Sequence, residues 1–236
     1  MSSRGADQTG DEEGDTGGGA DRGAARRAGL SPERVRDGAL RLIDREGIDA
    51  FSMRRLAAEL QVEAMSLYRH APGRDAILDA VVDYIASGVE IDPDDPDWRE
   101  QARRFALGLR AQIIAHPNVF SLVLARPLTT PLPRRGPAVL TTTDQLLAVL
   151  RRAGLDDAGT ATTYRRIIAF VMGRVEMELR PGPLAPDDPE PALRLGLQYL
   201  PATRYPHLRA LAEHIAEFDA EAEFRSDLEH LIASLG

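Results

Sequence analysis

The stretch SMRRLAAELQVEAMSLYRH, residues 52–70, constrains this chain more than any other. Met53, Leu56, Ala57 and Leu60 recur at i, i+3, i+4 and i+7, a buried face at a period of 3.6 residues. The spacing predicts a helix over about 52–60, a bend near Leu60-Gln61-Val62, and a second helix over about 64–70. Leu67 gives the second helix its apolar anchor, and Ser66, Tyr68, Arg69 and His70 crowd the rest with hydrogen-bonding groups. A helix-turn-helix needs this arrangement: one helix supports while the other enters the major groove and offers polar and basic side chains to bases and phosphates. Taken alone, the stretch also fits a helical hairpin with a polar outer face.

The flanking residues complete a three-helix head. Ser31-Pro32-Glu33 combines a cap, a first-turn proline and an acid at the positive helix end. Val35, Ala39, Leu42 and Ile43 form the stripe of that helix, and Gly47 ends it. The predicted core joins Val35, Leu42, Ile43, Ile48, Phe51, Leu56, Leu60, Val62 and Leu67. A fourth helix is expected over about 74–89, with Ile77, Leu78, Val81, Val82 and Ile85 inward. Its free backbone N–H groups and Arg74 make a phosphate clamp beside the second helix.

Charge supports a nucleic-acid partner only through its distribution. Residues 22–75 hold eleven Arg against eight acids, so they carry +3 and leave −11 for the rest of a chain whose net charge is −8. An acidic body under a basic head is the implied arrangement. With 236 residues, 43% of them hydrophobic, the chain is long enough to bury a sizeable core. Cysteine is absent, which excludes disulfides and thiol chemistry. No apolar run is long enough to span a bilayer, and no secretory pattern opens the chain, so a cytoplasmic protein with no membrane partner is expected.

Residues 1–28 are rich in Gly, Asp and Glu and are expected to be a disordered tail. Its Arg22, Arg26 and Arg27 suggest either a solvated segment or an arm along DNA. The head is assigned to 29–90 and the body to 91–236, divided by the Pro- and Asp-rich stretch after Ile91. Body helices are predicted over about 97–116, 118–125, 138–153, 156–179, 192–200, 206–217 and 222–234. Loops are predicted over 126–137 and 180–191. No alternating pattern of useful length predicts a strand. The fold class is therefore all-α, a helix-turn-helix head on a helical body.

The residues ALRLIDREGIDAFSMRRLAAEL and VEAMSLYRHAPGRDAILDAV make the chain resemble the TetR family of transcriptional regulators from Leu30 to about Ile85. Trp98, His116, the Arg126-Pro127-Leu128-Thr129 segment and the terminal EAEFRSDLEHLIASL resemble the body of the tetracycline-repressor branch. The resemblance implies a ligand-binding, dimerising body and a homodimer joined by a four-helix bundle, with helices 156–179 and 222–234 supplied by each subunit. Ile167, Val171, Val175, Phe224, Leu228 and Leu231 are the interface residues so implied; the alternative is that they pack within one subunit. It also implies a DNA face of Arg54, Ala64, Met65, Ser66, Tyr68, Arg69, His70 and Arg74. Arg54 is the first candidate for a guanine contact, with Arg69 or His70 as alternatives, and a phosphate contact is the other reading of Arg54. Met65 either touches a thymine methyl or packs, and His70 equally suits a hinge.

Two departures from the family pattern matter. Gln61 stands where the family usually has glycine, and position 65 lacks the proline of tetracycline repressors. An effector pocket is implied around Phe105, Leu109, Ile113, His116, Phe120, Tyr164, Ile168, Met172 and Glu176. Tetracycline repressors present an amide and a magnesium-binding histidine where this chain has Phe105 and a residue near Val123, so an apolar effector other than magnesium-tetracycline is expected.

Against this stand a helical interaction adaptor and a small all-α enzyme. No phosphate loop, nucleophile elbow or metal motif occurs in the sequence. His214 with Glu217 and Glu221 has a spacing that suits a metal, but on an acidic face it reads as surface. The expectation is a ligand-responsive repressor, not an enzyme, with no cofactor and no metal. Its partners are double-stranded operator DNA, a second copy and an unknown small-molecule effector.

Overall fold

The computed structural model describes residues 29–129, 131, 134–179, 196–216 and 219–235. The predicted tail, the predicted loop over 180–191, the start of the helix predicted from 192 and Glu217 lie outside these residues. The described helices are α1 (Pro32–Glu46), α2 (Met53–Leu60), α3 (Ala64–Leu67), α4 (Arg74–Ser87), α5 (Trp98–Ala115) and α6 (Phe120–Thr129), then α7 (Pro137–Arg152), α8 (Asp157–Leu179), α9 (Pro206–Ala210), α10 (Ala212–Ala216) and α11 (Ala220–Ala233). Single 3-10 turns at Ile48–Ala50 and Pro117–Val119 join neighbours, and no strand occurs among the described residues.

The head forms as its apolar spacing predicts. Ser31 Oγ accepts the Arg34 N–H at 3.2 Å and Ser52 Oγ accepts that of Arg55 at 3.3 Å, so both α1 and α2 start on a side-chain cap. Leu42, Ile43, Leu56 and Leu67 are fully buried. Gly38 sets how closely α1 and α2 approach, since a Cβ there would lie 2.6 Å from Leu60 Cδ2. The second helix is shorter than expected. α3 ends at Leu67, and residues 68–70 continue as turns, with the His70 and Ala71 N–H groups both donating to Leu67 O.

Gln61 ends α2 in the left-handed region, at φ 56° and ψ 43°. The Val62 N–H reaches Ala57 O at 2.9 Å and the Gln61 N–H reaches Ala58 O at 3.2 Å, the paired bonds that close a helix through a left-handed residue. The turn therefore has the usual geometry with an unusual residue.

α4 has two apolar faces. Ile77, Leu78 and Val81 are buried beside the head core, while Val82, Ile85 and Val89 turn toward the body, and a single cluster of buried side chains runs from Val35 to Leu235. The connection after α4 is clamped. Gln101 is fully buried; its Oε1 accepts the Asp92 N–H and its Nε2 donates to Asp95 Oδ2, each at 2.8 Å.

In the body, α5, α7 and α8 pack on one another and α11 lies against α5 and α8. Arg110 donates two hydrogen bonds to Glu178, at 2.7 and 3.0 Å, from beside the Phe224 ring. Arg103 does the same to Glu229 across α5 and α11, which holds the Glu229 carboxyl below its ordinary range.

Two expectations change here. Residues 126–129 continue α6 through Pro127 instead of forming a loop. Arg126 pins this turn to α4, bonding Asp79 Oδ1 and Asp75 O at 2.8 Å each, which offsets the backbone hydrogen bond that proline cannot make. The helix expected over 206–217 is broken at Leu211 into α9 and α10.

Replacing Gln61 with glycine should raise stability. The left-handed conformation costs about 1–2 kcal/mol at a residue with a Cβ, and glycine's greater freedom in the unfolded chain returns roughly 0.5–1 kcal/mol of that. A higher midpoint in denaturant unfolding is expected for Gln61→Gly; a lower one would mean that the glutamine side chain stabilises the turn.

Candidate nucleic-acid interface and ligand cavity

The exposed face of the helix-turn-helix is set by what lies beneath it. Leu67 has no exposure and fastens α3, so the residues around it must point outward. Ala64, Met65, Tyr68 and Arg69 are exposed, and Ser66 and His70 are half-buried. Met65 is 72% exposed and Tyr68 48%, high values for side chains with this much apolar surface.

The arginines of the head divide into two groups. Arg41 and Arg45 pair with Glu59, and Arg45 and Arg55 pair with Glu46, a network that holds α1 to α2. Arg36 pairs with Asp37. Arg54, Arg69 and Arg74 make no ion pair among the described residues; Arg74 lies 5.6 Å from the Phe51 ring centroid. The uncommitted charge is therefore concentrated on the exposed side of α2, the end of the α3 turn and the start of α4. Gly73 leaves the first N–H groups of α4 without a side-chain cap.

A cavity of about 210 Å³ lies in the body. Its wall is mostly apolar and comes from α4, α5, α6, α7 and α8. Phe105, Leu109, Tyr164, Ile168 and Met172 line it together, as the resemblance implied. Four other residues expected there do not. Ile113 and Phe120 are buried in the core away from the wall, and Glu176 does not line it. His116 instead faces the head: its Nδ1 shares a 2.8 Å hydrogen bond with Asp44 Oδ2 of α1. The Asn118 amide donates to Asp44 O at 2.8 Å, and the Tyr84 ring stands edge-on to His116 at 6.4 Å. Together they form a clasp between head and body.

Sequence reasoning missed the wall supplied by α4 (Val82, Ile85, Ala86) and by Val89 just past its end, as well as Leu124, Arg135, Val139, Thr142 and Thr143. Val82, Ile85 and Val89 recur at i, i+3 and i+7, a second stripe beside Ile77, Leu78 and Val81, and that spacing is the signal in the sequence that separates the two faces.

The structure places most of the interface residues implied by the resemblance inside one subunit. Ile167, Val171 and Val175 have no exposure, and Phe224 and Leu228 have 1% each. They fill the space between helices of one subunit, and Leu231 packs partly buried against the same core with the rest of its surface open. Along the middle and end of α8 the exposed positions are Arg165, Arg166, Ala169, Gly173 and Met177. Among the described residues no group of three or more His, Asp or Glu is placed to hold a metal ion, and no helix is long and apolar enough to cross a membrane.

A helix-turn-helix joined through α4 to an apolar cavity defines a helical protein with a nucleic-acid-reading head and a ligand-sized hollow in its body. Residues 35–81 match the family described as bacterial regulatory proteins, tetR family, and residues 92–235 match the tetracyclin repressor-like C-terminal domain. The chain belongs to the TetR family of transcriptional regulators. It is 31% identical over 150 residues to an HTH-type transcriptional regulator of Saccharopolyspora erythraea, covering 63% of this chain and 61% of that protein. It is 31% identical over 152 residues to the repressor DrrR1 of Streptomyces coeruleorubidus, covering 64% and 54%. The chain thus spans less than two thirds of the length of these relatives. Among solved structures, Streptomyces coelicolor ActR in complex with actinorhodin superposes with a TM-score of 0.74 at 32% identity, over 88% of this chain and 97% of that one.

Truncation separates the anchor of the exposed segment from its surface. Leu67→Ala should cost about 2–5 kcal/mol of stability, as other buried leucines do, whereas Met65→Ala should stay within roughly 0.5 kcal/mol. Equal midpoints in denaturant for the two variants would contradict this seating of α3.

Proposed function

We propose that this protein is a transcriptional repressor that binds double-stranded operator DNA as a homodimer and leaves it when a largely apolar small molecule enters the body cavity. One observation carries the reading. α4 begins at the uncommitted Arg74 beside the exposed face and, two to three turns later, presents Val82, Ile85 and Ala86 to the cavity. The name of DrrR1 as a repressor, and the description of ActR in complexes with actinorhodin and (S)-DNPA, support a ligand-released repressor.

Each exposed residue then has a role. Arg54 reads a guanine by a bidentate contact, while Ser66 and Tyr68 hold phosphates by their hydroxyls. Arg69, Arg74 and the open α4 N-terminus add phosphate contacts, and Ala64, Met65 and His70 complete the surface against the groove. Two heads reach successive major grooves about 34–36 Å apart. The second copy covers the Ala169, Gly173 and Met177 ridge of α8, where a partner helix finds small side chains and open space.

Release follows from linkage. A ligand shifts the heads only by as much as it prefers one of their spacings. Two routes run from the cavity: along α4 to Arg74, and along α5 from Leu109 to the His116–Asp44 clasp, roughly 10 Å farther on. The clasp lies outside both the wall and the exposed face.

Arg54→Ala should relax base preference, with a loss of roughly 1–3 kcal/mol on operator and less on random duplex. Arg74→Ala should weaken both alike and lower the salt slope by about one. Equal losses on the two duplexes for Arg54→Ala would remove it from base reading. For the clasp, compounds can be screened by the fall in duplex affinity that they cause. His116→Ala should keep duplex affinity within a few-fold and shrink that fall for every active compound; undiminished falls would take His116 out of the route.

A further inference from the structure

In the head, Met65 and Tyr68 are the large apolar side chains that stand exposed among the described residues. Met65 is the more exposed of the two, at 72%, and belongs neither to the core nor to the partly buried side chains packed on it. Tyr68 has a hydroxyl to turn toward water or phosphate, whereas the Met65 thioether is only a weak acceptor. We propose that Met65 is a specificity-determining residue that reads the C5-methyl group of a thymine in the major groove. The inference rests on the reading of this face as the DNA-binding surface and names the base that one of its side chains selects.

The chemistry of the groove leaves one such target. An exposed apolar side chain contributes nothing until a partner covers it, and the gain then scales with the area removed from water. Base edges in the major groove present donors and acceptors, and the one apolar group among them is the thymine methyl. Against guanine, cytosine or adenine a thioether would strip water from a polar edge and return no hydrogen bond, which costs free energy. Methionine is unbranched, with rotatable bonds and a polarizable sulfur, so it can conform to a methyl group.

Charge fixes which part of the duplex Met65 meets. Glu63 and Ala64 precede it, both exposed, and the Glu63 side chain makes no cap hydrogen bond to α3. An acid followed by two apolar residues is a poor match for phosphate oxygens. The uncommitted basic groups surround this edge instead: Arg54 on α2, Arg69 at the end of the α3 turn and Arg74 at the start of α4. Phosphates are met by those guanidinium groups, and the Ala64–Met65 step is left for the floor of the groove. It is presented from a seated turn, since Leu67 has no exposure and the Ser66 N–H donates to Glu63 O at 2.9 Å. The small Ala64 side chain leaves room beside Met65 for the methyl.

Deoxyuridine tests the claim on the full chain, because it removes the methyl of thymine and keeps its hydrogen bonds. A duplex is selected from a randomised library by the wild-type protein, and each of its thymines is then replaced in turn by deoxyuridine. Affinities are measured by fluorescence anisotropy for wild type, Met65→Leu and Met65→Ala, with circular dichroism confirming that each variant is folded. In wild type, replacement at one thymine of each half-site should weaken binding roughly 4-fold per methyl. Met65→Leu should retain that loss. Met65→Ala should bind the thymine and deoxyuridine duplexes equally at this position, with its salt dependence unchanged. A selected half-site without thymine, a wild type indifferent to every replacement, or a Met65→Ala that keeps the full loss at every sensitive thymine overturns the role of Met65 alone. Failure to enrich any duplex over the starting library overturns the DNA-binding reading together with it.

Discussion

The two apolar faces of α4 join the helix-turn-helix head and the cavity wall in one packed core, and the rest of the structure depends on that contact. Ile77, Leu78 and Val81 are part of the head core, and Val82 and Ile85 are part of the cavity wall, with hardly a turn between them. A helix buried on both sides cannot shift on one without disturbing the packing on the other, because close-packed interiors transmit strain. The polar contacts repeat this pattern. Arg126 fastens α6 to Asp75 and Asp79, Asp83 caps the start of α7, and the His116–Asp44 clasp adds a second tie between body and α1.

Charge in the head is partitioned by the same packing. A net count over residues 22–75 describes a modestly basic region, yet Arg41, Arg45 and Arg55 have acidic partners that serve the α1–α2 contact, and Arg36 is paired with Asp37. What is left for an anionic partner is Arg54, Arg69 and Arg74. Surface ion pairs of this kind contribute little to stability, but they decide which guanidinium groups remain free to meet phosphates and bases.

Much of the head was legible in the sequence because its information is local. The caps at Ser31 and Ser52, the Met53–Leu60 stripe and the Leu67 anchor lie within a few residues of what they stabilise. Gln61 was legible as an anomaly and proved to be left-handed with the turn intact. The cavity was half legible. Phe105, Leu109, Tyr164, Ile168 and Met172 could be placed by resemblance, but Arg135, Val139, Thr142 and Thr143 reach the wall only through tertiary packing of α7 on α4. His116 shows the limit from the other direction: the resemblance implied a pocket residue at the end of α5, and only the Asp44 carboxylate across the fold makes it a clasp. The apolar faces of α8 and α11 equally fit an interface between subunits or a core within one, because hydrophobic periodicity does not say whose atoms cover a stripe.

The central claim is that head and cavity share one core through α4, and cooperativity of unfolding tests it most directly. Trp98 is the chain's single tryptophan and reports on the body, and the absence of cysteine allows a single label at Met65→Cys to report on the head. The two signals, followed in one denaturant titration, should give coincident transitions with the same midpoint, as a single cooperative unit requires. A head signal that melts at lower denaturant than Trp98 would contradict the shared core and with it the route from cavity to DNA.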